Sequence, residues 1–111
     1  MEQEEFEEHV REALDGLPDD IARGLENVAV VVEDESPLGP GILGSFFGYP
    51  HSMWGTPSGA LPAKVVVYRR PLEEAFHDPV ELQRQIRITV LNELAHYFGI
   101  DEQRIAELGY R

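Results

Sequence analysis

Cysteine is absent from the 111 residues, which excludes disulfides and thiolate metal ligands and leaves His, Asp and Glu as the only strong donors for a metal ion. Positive charge is scarce. Nine Lys and Arg stand against 21 Asp and Glu, a formal net charge of -12 that repels phosphate backbones and anionic lipid. Nucleic-acid and membrane-surface partners are therefore not expected, and basic or neutral partners are favoured. No apolar run approaches the roughly 20 residues that span a bilayer. The start, Met1-Glu2-Gln3-Glu4-Glu5, is acidic where a secretory signal would be basic. A cytoplasmic location is the expectation, with residues 1–111 forming one domain that buries roughly two-thirds of its unfolded surface.

What is present falls into short punctuated segments. Phe6, Val10, Ala13, Leu14 and Leu17 recur at three- and four-residue steps among acidic neighbours, which predicts an amphipathic helix stopped by Pro18. Asp19 or Asp20 can cap a short second helical turn through Ile21, Ala22 and Leu25. Val28-Ala29-Val30-Val31-Val32 is strongly β-branched and reads as an interior strand covered on both faces. From Ser36 to Pro62 glycine and proline break every period, predicting a long loop with one short strand near Ile42 to Phe47. Ala63 to Arg69 is a second clear strand, whose terminal Lys64 and Arg69 suit a sheet edge.

Pro71 opens a modest helix through Leu72, Ala75 and Phe76, and Asp78-Pro79 supplies an N-cap and first position for a long one. That helix runs through Leu82, Ile86, Val90, Leu94 and Phe98 to a capping Gly99, after which Asp101 can cap a last short helix with Ile105 and Leu108. In its second half Ile88, Leu91 and Ala95 are also apolar, so nearly every direction is hydrophobic and the segment belongs in the core. One stripe is polar. Thr89, Asn92, Glu93 and His96 follow the i, i+3, i+4, i+7 spacing and project from a single face.

Such a stripe is ordinarily a helix's solvent side, or a hydrogen-bonded network within the fold. Here a charged Glu93 on a buried helix would need a partner, a metal or a raised pKa. The spacing is that of the H-E-x-x-H motif, in which two histidines four residues apart hold zinc and the glutamate lies beside the metal-bound water. Asn92 occupies the first histidine position.

The run Thr89 to Glu102, the strand Val28 to Val32 followed by Glu33-Asp34, and the junction Val67-Tyr68-Arg69-Arg70-Pro71 together resemble the minimal zincin-like metallopeptidase family. These are small bacterial proteins with the signature H-E-x-x-H-x-x-G-x-x-D. The likeness covers essentially the whole chain, to Leu108-Gly109-Tyr110. It implies an α+β fold, with a small mixed sheet packed on a long active-site helix and further helices around it. It implies zinc as cofactor, metal-dependent peptide hydrolysis as activity, and a peptide or protein as substrate or ligand. By position Glu93 matches the general base, His96 the second ligand, and Gly99 the turn that swings the chain back toward the metal.

Two positions depart from the signature, Asn92 at the first histidine and Glu102 at the final aspartate. Glutamate is a competent oxygen ligand with a longer reach, so Glu102 is tolerable, with Asp101 beside it as an alternative donor. Asn92 is the serious departure, because an amide oxygen is a poor zinc ligand beside imidazole. Zinc lowers the pKa of its water far down, to about 7, worth roughly 12 kcal/mol, which Glu93 alone cannot supply. His51 in the long loop is a candidate substitute ligand. Two readings follow: a metallopeptidase weakened or inactivated at Asn92, or a non-catalytic peptide- or protein-binding module on the same scaffold. His9 and His77 read as surface residues, and Phe46, Phe47, Tyr49 and Trp54 as either a cleft lining or a lid packed on the core.

Overall fold

A computed structural model describes residues 1–23, 28–48 and 63–98, together with Gln103 and Glu107; at Asp20, His96, Tyr97 and Phe98 it describes the backbone alone. Along the chain run α1 (Gln3–Asp15), α2 (Asp19–Arg23), β1 (Val28–Glu33), β2 (Gly44–Phe47), β3 (Ala63–Tyr68), α3 (Arg69–Ala75) and α4 (Pro79–Phe98). The architecture is α+β, a small mixed sheet packed on the long α4. The expectations for Tyr49, His51, Trp54, Gly99, Asp101, Glu102, Ile105 and Leu108 lie outside the described residues.

α1 buries Phe6, Val10 and Ala13, spaced by four and then three residues on one stripe. Its first turn carries Glu4 and Glu5, whose charge suits the positive end of the helix dipole. The helix stops before Pro18: Gly16 caps it, donating its N–H to Glu12 O at 3.1 Å. Pro18 has a different task, since its carbonyl accepts from Ile21 N at 3.1 Å and Ala22 N at 2.9 Å at the start of α2. Asp19 is already helical rather than the cap.

The strand order is β1-β3-β2, which corrects two expectations. β3 lies in the middle, parallel to β1 from Val28↔Ala63 to Glu33↔Tyr68 and antiparallel to β2 from Gly44↔Val67 to Phe47↔Lys64. Lys64 and Arg69 are not edge guards. Lys64 is exposed at the strand's start, where its Nζ lies 3.7 Å from Glu33 Oε2. Arg69 already belongs to α3, reaching Asp34 at 3.1 Å and Glu73 at 3.3 Å. Between those charges Val65, Val66 and Val67 are fully buried, as an inner strand requires. β1, expected inside, is instead an edge strand among the described residues, and its own residues are half-buried or exposed.

α3 begins two residues before Pro71, which sits buried in its first turn, where a missing N–H costs no helical hydrogen bond. The α4 cap is as the sequence predicts: Asp78 Oδ2 accepts the Glu81 N–H at 2.9 Å, and Pro79 opens the helix. Asp78→Ala should therefore lower stability by about 1 kcal/mol, read from urea unfolding midpoints, whereas an exposed control such as Glu74→Ala should leave them unchanged. The core joins Phe6 and Val10 of α1, Val65 and Val67 of β3, Leu72 of α3, and Leu82, Ile86, Val90, Leu91 and Leu94 of α4. His77 is exposed as expected, but His9 is half-buried, with Nδ1 3.5 Å from Glu12 Oε2. Helical periodicity turns that ring toward the α1–α4 seam, where Gln83 Nε2 donates to the same Glu12 carboxylate at 3.1 Å.

Candidate functional site

The candidate site lies where the second half of α4 passes under the β2 edge. Thr89, Asn92 and Glu93 share one helical face there, and the α4 backbone continues through the His96 position at the same spacing. Thr89 is buried, while Asn92 and Glu93 are each half-buried. Around them Val90, Leu91, Leu94 and Ala95 are buried in the core, so these two polar groups keep partial contact with water at the edge of an apolar helix.

Thr89 satisfies its hydroxyl within the helix, Oγ1 donating to Gln85 O at 2.8 Å. That bond turns the methyl outward. The methyl meets β2 at Gly44, where a Cβ would stand 2.8 Å from Thr89 Cγ2, 3.1 Å from Glu93 Cγ and 3.2 Å from Val66 O. The aliphatic stem of Glu93 thus runs over a glycine backbone, with Thr89 beside it and the central strand behind. Gly48, just after β2, has φ +131° and a virtual Cβ only 2.9 Å from Ala63 Cα, so both ends of this strand exclude larger residues.

Gly44 is the site residue that the sequence reading missed. Its signal was present, since an isolated glycine in a strand marks close approach of another group, but it was lost among the glycines and prolines of the loop. Phe46 packs against the core, and Phe47 is exposed with Lys64 Nζ 5.7 Å from its ring centroid. Of the expected site residues, Asn92 and Glu93 are described and stand side by side on α4; the side chains of His51, His96, Asp101 and Glu102 lie outside the described residues.

Among the described residues no group of three or more His, Cys, Asp or Glu is placed to hold a metal ion. The donor chemistry decides the fit. In the register that the resemblance implies, Asn92 puts a neutral amide where a zincin centre has an imidazole, and no thiol exists in the chain to replace it. The described residues by themselves do not complete a zincin zinc centre.

Residues 25–110 match the family model described as zincin-like metallopeptidase, and the chain belongs to that family. A solved structure, a conserved hypothetical protein from Thermus thermophilus, has the same fold. It superposes with a TM-score of 0.59 at 24% identity over 96% of this chain and 98% of that one. No match is found among the curated proteins. No helix among the described residues is long and apolar enough to cross a membrane.

Proposed function

We propose that this chain is a peptide-directed zincin in which metal-dependent hydrolysis is strongly weakened at Asn92. The observation that supports the reading is an amide, Asn92, on α4 one residue before a half-buried Glu93, at the position that the resemblance aligns with the family's first imidazole. Glu93 is the carboxylate in place to take a proton from water. His96 and Glu102 are the remaining family donors by position, and zinc is the cofactor they would share. Losing even a supporting partner of a metal ligand costs about 10- to 100-fold in affinity, so losing the ligand itself costs at least as much.

The peptide would lie along β2 rather than β3, because β3 has both neighbours filled and β2 pairs with one strand among the described residues. Main-chain hydrogen bonding along a sheet edge accepts many sequences, in keeping with a scaffold that handles peptides. Protein purified without chelator should carry substoichiometric zinc by elemental analysis. Any cleavage of a denatured protein substrate should rise with added zinc and stop with chelator. Full zinc occupancy with vigorous chelator-sensitive cleavage would show that Asn92 does not weaken the centre.

The second reading, a non-catalytic peptide-binding module, is favoured by the same amide, which donates and accepts hydrogen bonds where imidazole would hold metal. It predicts peptide binding that survives chelator and Glu93→Gln alike, measured by calorimetry. Binding abolished by chelator would remove it.

A further inference from the structure

The contact between β2 and α4 is tighter than sheet-on-helix packing requires. Ordinary carbon–carbon contacts lie at about 3.5–4.0 Å, yet any side chain at position 44 would begin 2.8 Å from Thr89 Cγ2 and 3.1 Å from Glu93 Cγ. Two of its neighbours cannot give way easily. Val66 O, at 3.2 Å, belongs to the inner strand of the sheet. Thr89 is held by its hydroxyl bond to Gln85 O at 2.8 Å, which fixes the direction of the methyl. The softest neighbour is Glu93, whose flexible stem would be displaced first.

We infer that Gly44 and Thr89 are positioning residues for Glu93: the bare backbone at 44 and the fixed methyl at 89 form a slot that confines the glutamate's stem. The slot is shared between the strand along which a peptide would pair and the helix that carries the carboxylate, so it sets the distance between them. This rests on reading Glu93 as the functional carboxylate of the family site. Its test needs no metal and no turnover, so its failure would leave the zinc and cleavage experiments to judge that reading separately.

The test is side-chain NMR on the full chain without metal, through the Hα–Hβ couplings of Glu93 and its Hγ contacts to the Gly44 Hα protons. In the parent protein these should report one staggered rotamer lying against Gly44. Gly44→Ala should shift or average the couplings while the methyl signals of Val90, Leu91 and Leu94 stay native. A Gly44→Ala protein that loses stability yet leaves Glu93 in its parent rotamer overturns the inference. If Gly44→Ala does not fold, Thr89→Ala probes the slot from the helix side: averaged Glu93 couplings support it, and an unchanged single rotamer overturns it.

Discussion

Asn92→His should raise zinc affinity by about 10- to 100-fold or more, equivalent to about 1.4–2.8 kcal/mol at the least. Positions 92 and 96 are one helical turn apart on α4, the spacing at which two imidazoles reach a common ion. The backbone is already there, and the substitution supplies only the missing donor. Competition titration against a chromogenic chelator, with zinc content by elemental analysis, measures the gain. If affinity rises and peptide cleavage appears with it, Glu93→Gln in the same background should remove the cleavage while retaining the zinc, because in the proposed reading Glu93 handles the proton and is not a ligand. A variant that stays metal-free would mean that the stripe on α4 is not the zincin motif in register.

Phe6→Ala should be the most damaging single truncation outside the site, costing about 3–5 kcal/mol. Phe6 is fully buried in the cluster that joins α1 to α4, so its loss leaves a hole that neither helix can easily close. Domains of this size have roughly 5–15 kcal/mol of total stability. Urea unfolding should therefore show a much lower midpoint with an unchanged slope. A loss below about 1 kcal/mol would mean that α1 does not contribute to the core as its contacts indicate. The site should feel this change indirectly, since α1 and β2 both pack on α4.

Much of the fold was legible because local chemistry dictated it. The Phe6-Val10-Ala13 spacing makes an amphipathic helix in any setting, Asp78-Pro79 starts a helix by capping and by a fixed φ, and a valine run disfavours every alternative to a strand. The order of those strands was not legible. Lys64 and Arg69 look like edge guards in sequence, but their charges are met by Glu33, Asp34 and Glu73, residues brought to them by pairing and by the turn into α3. β1, with the more uniformly apolar run, went to the edge. Hydrophobicity reports that a strand wants burial and says nothing about which neighbour provides it. His9 shows the same limit: acidic neighbours in sequence suggested a surface residue, yet helical spacing turned it into the α1–α4 seam.

By itself the sequence determined the elements and the polar spacing of Thr89, Asn92 and Glu93 on α4, because each depends only on residue type and on spacing along one helix or strand. Tertiary structure alone decided that β3 is central, that β2 is the edge beside Glu93, and that Gly44 meets Thr89 and Glu93 at less than a side chain's distance. Those facts depend on how closely separate segments approach in space, and that distance is set by the packing of the whole core and by no local stretch of chain.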